Sequence, residues 1–113
     1  MNKQPSSVEK YNKISNSTLF TTPITVYELL SAPYLNVEKI KLFTEMLSRI
    51  SLIDFGIKTA EESASIQRHL TKNGQKINEF DVLIAGIAKI NGLIMVTKDK
   101  DFKKISGLKV ETY

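Results

Sequence analysis

The run Asn78-Glu79-Phe80-Asp81-Val82-Leu83-Ile84-Ala85-Gly86-Ile87-Ala88-Lys89-Ile90, then Asn91-Gly92, then Leu93-Ile94-Met95-Val96-Thr97, decides the fold. Asn78 is a residue type that caps helix N-termini, and Asn91-Gly92 is a pair that ends helices. A helix is therefore predicted over Asn78–Ile90. The residues from Leu93 to Val96 are continuously apolar, as expected of a strand covered on both faces. A helix feeding directly into such a strand is the repeating unit of a parallel α/β sheet.

Working outward, the same alternation continues. Downstream, Asp101–Ile105 reads as a brief helical turn and Leu108–Glu111 as a last strand. Upstream, Thr59–Leu70 is a helix extending to Lys72 and stopped by Asn73-Gly74. Ser51–Phe55 is a short strand. Asn36–Arg49 carries Val37, Ile40, Phe43, Met46 and Leu47 on a helical period. Before it, Thr22 is placed to cap a helix with Pro23 at its first position, ending near Leu30 or Ser31 ahead of Pro33. Thr18–Phe20 is a short β-prone run, and Pro5–Ile14 is polar and weakly helical, with Ser6 or Ser7 as cap. The expectation is one α/β domain over residues 1–113, with 1–17 a polar N-terminal segment and 18–113 the core.

A chain of 113 residues builds one hydrophobic core, and 42% hydrophobic with 25% charged residues is the balance of a globular domain. The absence of cysteine excludes disulfides and thiolate metal sites, and a single histidine, His69, gives no support to a zinc centre or a Cys/His nucleophile pair. The scattered glycines form no phosphate-cradling loop. No apolar run approaches the roughly 20 residues that span a bilayer, so no membrane association is expected. The polar start MNKQPSSVEK has no signal-peptide core, and a cytoplasmic location is the default. The net charge of +4 and pI near 9.3 suit a polyanionic partner, and suit an ordinary solvated surface equally well. The densest lysines, Lys98, Lys100, Lys103 and Lys104, are interleaved with acids.

In a parallel sheet, ligands bind at the carboxyl ends of the strands. Three acids fall there for separate reasons. Glu28 lies in the first turns of the helix after Thr18–Phe20. Asp99 lies two residues past Thr97. Asp81 opens a helix that leads back into Leu93–Thr97, so its N-terminus sits at the same end. Convergent carboxylates can hold a hard divalent cation for phosphodiester hydrolysis. Each acid also has a bland alternative: Asp81 stands at a capping-box position, Glu28 could be a solvated helix residue, and Asp99 or Asp101 could cap the turn that follows.

The segments Phe80–Ala88, Asn91–Phe102 and Ile105–Val110, together with Ile24-Thr25-Val26-Tyr27-Glu28-Leu29-Leu30, resemble PIN-domain ribonucleases of the VapC toxin type over roughly Thr18 to Tyr113. That resemblance implies a three-layer α/β/α fold around a mostly parallel sheet. It implies an Mg²⁺- or Mn²⁺-dependent endoribonuclease whose metal-binding acids map to Glu28, Asp81 and Asp99. Thr97 would hold a metal-bound water or orient Asp99. It also implies an RNA substrate, a cognate antitoxin that blocks the site, and a homodimer.

The resemblance departs at the N-terminus. The family opens with an apolar strand ending in Asp-Thr or Asp-Ser, which supplies a first acid and the middle of the sheet. Here Asn2-Lys3-Gln4-Pro5-Ser6-Ser7 follows Met1, and Glu9 is the first acid. The expectation is an N-terminally truncated sheet with a gap between Thr18–Phe20 and Leu93–Thr97. A late start assignment, a decayed enzyme that only binds a protein partner, and a sheet that closes up or borrows a strand from another chain all fit.

Overall fold

The computed structural model describes residues 19–113. The helix expected over Pro5–Ile14 and the start of the strand expected from Thr18 lie outside them. The described elements are β1 (Phe20–Thr21), α1 (Pro23–Leu30), α2 (Val37–Leu47), β2 (Ser51–Leu52), α3 (Ile57–Lys72), α4 (Glu79–Ile90), β3 (Ile94–Thr97), a 3-10 turn (Lys100–Lys104) and β4 (Lys109–Thr112).

The helix boundaries follow from local chemistry. Thr22 Oγ1 accepts the Thr25 N–H at 3.0 Å, and Pro23 occupies the first turn, where a missing N–H costs nothing. Asn36 caps α2 through the Lys39 N–H at 2.8 Å. At the end of α4, Gly92 takes φ +64, a conformation that is easy only for glycine. The Leu93 N–H then reaches the Ala88 carbonyl at 2.8 Å and the Gly92 N–H reaches Lys89 at 3.2 Å. These are the two bonds of a Schellman closure, and they redirect the chain from α4 into β3. Committing the Leu93 N–H to this closure explains why β3 starts at Ile94, not at Leu93. The α3 helix begins earlier than Thr59, at Ile57 after Gly56, without a side-chain cap.

Among the described residues all strand pairing is parallel, as the order of elements requires. β1 pairs with β2 in the register Phe20↔Ser51 and Thr21↔Leu52. The expected strand Ser51–Phe55 is therefore only two residues long, because its partner offers two. The ladder runs one bond further, from the Ile53 N–H to the Thr21 carbonyl at 2.9 Å. β3 pairs with β4 from Ile94↔Lys109 to Thr97↔Thr112. Among the described residues the two pairs form two separate sheets, and no strand joins β1 to β3.

The core belongs to the C-terminal half. Ile66 and Leu70 of α3 pack with Val82 and Ala85 of α4 and with Phe102 and Ile105 of the turn region, while Met95, Leu108 and Val110 close over them. Leu70 and Ile87 are fully enclosed, and each such burial stabilises by about 1.5–3 kcal/mol. α3 and α4 approach so closely at Gly86 that a Cβ there would fall on the Ser63 hydroxyl and 3.0 Å from its Cβ. The helical stripe of α2 behaves differently: none of its residues is buried, and Val37 remains 71% exposed. Phe43 and Leu47 of that stripe are half-buried and Ile40 and Met46 are exposed, so the stripe is only partly covered.

Candidate active site

The four residues singled out by sequence sit on α1, on α4, at the end of β3 and at the cap of the turn after it, near the carboxyl ends of β1 and β3. Glu28 is on α1, which the Thr22 cap holds against the end of β1. Asp81 is in the first turn of α4, half-buried, and Asn78 caps that helix through the Phe80 N–H at 2.9 Å. Thr97 ends β3, and its Oγ1 accepts the Asp99 N–H at 3.1 Å. Asp99 Oδ1 in turn accepts the Asp101 N–H at 2.8 Å, so Asp99 does cap the 3-10 turn. One carboxylate oxygen is engaged in that way, which leaves the other for a further ligand.

An aromatic contact joins α1 to α4. The Tyr27 and Phe80 rings lie 5.9 Å apart with their planes inclined by 40°. Each ring directly precedes one of the acids, so their contact draws Glu28 and Asp81 to the same edge. Sequence reasoning missed this pair. The signal that could have revealed it is an aromatic residue one position before each acid.

The charges respond to one another. Glu28 is held above the usual carboxylate range, first by partial burial and then by the charge of Asp81. Asp81 is raised by burial first, then by Asp99 and Asp101. A carboxylate in the first turn of a helix is normally favoured in its charged form. At Asp81 desolvation and like charge outweigh that effect. Asp101 therefore acts on the site electrostatically, although its carboxylate also pairs with Lys104 at 3.0 Å.

The convergence is an open arc. Among the described residues no three His, Cys, Asp or Glu side chains are grouped closely enough to hold one metal ion. His69 is exposed on α3, beside Lys89 and Ser106 and not beside the acids. Lys98 lies over the Tyr113 ring, 5.5 Å from its centre, and Lys100 is exposed. No described helix is long and apolar enough to cross a membrane.

The fold is an α/β domain with parallel strands and acids at their carboxyl ends, and comparison identifies its family. The PIN domain family model matches residues 3–108, and the chain belongs to that family. It is 28% identical over 117 residues to the tRNA(fMet)-specific endonuclease VapC of Shigella flexneri, covering 97% of this chain and 86% of that protein. Among solved structures it is similar to DNA-bound VapBC from Salmonella typhimurium, with TM-score 0.80, 25% identity, and coverage of 96% of this chain and 85% of that one. It is also similar to VapBC-5 of Mycobacterium tuberculosis, a member of the VapBC family of toxin-antitoxin systems. There the TM-score is 0.66 and the identity 28%, over 81% of this chain and 78% of that one.

Proposed function

We propose that this chain is the toxin-type endoribonuclease of a toxin–antitoxin pair, cleaving RNA phosphodiester bonds with Mg²⁺ or Mn²⁺. The observation that carries the proposal is the chain of like charges from Glu28 through Asp81 to Asp99. Burial and then the charge of Asp81 raise Glu28, and burial and then the charges of Asp99 and Asp101 raise Asp81, so the acids at this end lie within electrostatic reach of one another. The donor set is all oxygen, with neither thiolate nor imidazole among the four residues, and this suits a hard divalent cation.

In this reading Glu28, Asp81 and Asp99 are the residues that would hold the cation. A bound cation supplies acidified water and neutralises charge growing on the scissile phosphate. Thr97 positions Asp99 through the hydrogen bond to its backbone N–H. Lys98 and Lys100 contact flanking phosphates as mobile point charges. The test is cleavage of RNA with excess Mg²⁺ or Mn²⁺ by the chain and by Asp81→Asn. The variant is expected to be slower by at least ~100-fold, the loss of about 3 kcal/mol of transition-state stabilisation. Equal rates, or no cleavage by either, would defeat the assignment.

A second reading is favoured by one observation. The acids form an arc and not a cluster, which suits a PIN domain that binds a protein partner without cutting RNA. The relevant surface would be the exposed apolar residues of α2, Val37, Ile40, Leu42 and Met46. The same stripe serves an antitoxin or a second copy in the nuclease reading. A chain that captures its antitoxin yet leaves RNA intact with metal in excess would establish this second reading.

A further inference from the structure

Tyr27 of α1 and Phe80 of α4 remain 60% and 44% exposed although their rings meet. With the ring centres 5.9 Å apart and the planes inclined by 40°, Phe80 buttresses Tyr27, and most of Tyr27 still faces solvent. The backbone beneath both rings is fixed. The Tyr27 carbonyl accepts the Ser31 N–H at 3.0 Å, and the Phe80 N–H donates to Asn78 Oδ1 at 2.9 Å. A tyrosine held in this way has only two side-chain torsions to lose when something lands on it. Each ring also stands one residue, a Cα step of ~3.8 Å, before an acid of the candidate site. An aromatic pair needed only to join two helices would gain most by being covered, and this one is left open beside Glu28 and Asp81.

We propose that Tyr27, buttressed by Phe80, is a stacking platform for one unpaired nucleobase of a single-stranded RNA whose backbone passes the acids. The proposal rests on the nuclease reading for its substrate and adds where that substrate is gripped. Carboxylates at this end repel phosphate, so a strand entering here needs a foothold that does not depend on charge. The flat face of a base against an aromatic ring is such a foothold, and every base has one, so the grip tolerates sequence. Tyr27 binds in this scheme and takes no part in bond cleavage. An uncharged stack adds affinity without adding to the salt dependence, which separates it from lysine–phosphate contacts.

The test is binding of a short, unstructured, fluorescently labelled RNA to the whole chain in EDTA, read by anisotropy over a series of salt concentrations. Tyr27→Leu is expected to weaken binding about tenfold, the loss of one base stack, with the slope of log K against log salt unchanged. Tyr27→Phe keeps the ring and should bind as the parent does. Tyr34→Leu, at a tyrosine 77% exposed and away from the acids in sequence, should also leave binding unchanged. An abasic site moved along the RNA should weaken parent binding about tenfold at one position, and have no effect there on Tyr27→Leu. Equal binding by Tyr27→Leu, binding by Tyr27→Phe as weak as by Tyr27→Leu, or a flatter salt slope would each overturn the platform. The abasic scan on the parent decides the matter even if Tyr27→Leu does not fold, since loss at no position or equally at all positions also overturns it. Cleavage of the same RNA by the parent with Mg²⁺ separates the two readings. Cleavage together with indifference to Tyr27→Leu sinks the platform alone, and binding that follows the expected pattern without cleavage sinks the nuclease reading alone.

Discussion

At the scale of single residues, Asp81 carries two opposing demands. Its carboxyl takes up a proton more readily when folded than its ordinary value of 3.8 implies, because of burial and then Asp99 and Asp101. A group whose folded pKa is raised stabilises the fold below its unfolded pKa and loses that contribution as pH rises through the folded value. At neutral pH the ionised Asp81 is therefore a cost to folding. Asp81→Asn is expected to melt higher than the parent near pH 7, and the gain should vanish below about pH 3, where both states are protonated. Thermal melts across that range check the sign. Greater stability and lost cleavage from one substitution would mark a position kept for chemistry and not for the fold. Asp99 should behave in the opposite way. Asp99→Ala removes the cap on the Asp101 N–H and is expected to cost about 0.5–2 kcal/mol in denaturant unfolding.

Among the elements, α3 and α4 depend on Gly86. A methyl group there meets the Ser63 side chain, so Gly86→Ala is expected to destabilise by about 1–3 kcal/mol. Ser63→Ala in the same chain should return part of the loss, since it removes the nearest atom, and a double-mutant cycle measures that coupling. The helices were the legible part of the sequence because their signals are local: Thr22-Pro23, Asn36, Asn78 and Asn91-Gly92 each act on neighbours within a few residues. The short strands were less legible. The length of β2 is set by β1, a partner about thirty positions away, and nothing in Ser51–Phe55 encodes where that partner stops. In the site, strand order placed Glu28, Asp81 and Asp99 at one end, but the Tyr27–Phe80 contact that draws two of them together is tertiary. The use of an Asp99 oxygen as a cap was foreseen only as an alternative to its role as ligand, and the geometry accommodates both.

For the molecule as a whole, the charge of +4 bears on RNA. Each phosphate contact to single-stranded RNA contributes a slope of about −0.7 to log K against log salt. Replacing Lys98 and Lys100 by alanine should therefore flatten the slope by roughly 1.4 if both contact phosphates. Filter binding with a catalytically silenced chain reads this directly. A larger asymmetry concerns where the burial lies. Among the described residues the enclosed hydrophobic side chains all fall between Ile66 and Ile105, whereas α1 and α2 contain none. Amides of α1, α2 and β2 are accordingly expected to exchange with deuterium faster than those of α3 and α4, through an opening that leaves the larger core closed. On that expectation Asp81 and Asp99 sit with the slowly exchanging unit and Glu28 with the fast one, which would make assembly of the three acids an equilibrium. Any ligand that bridges them spends part of its affinity holding the looser unit shut, and its arrival should be visible first as protection spreading into α1.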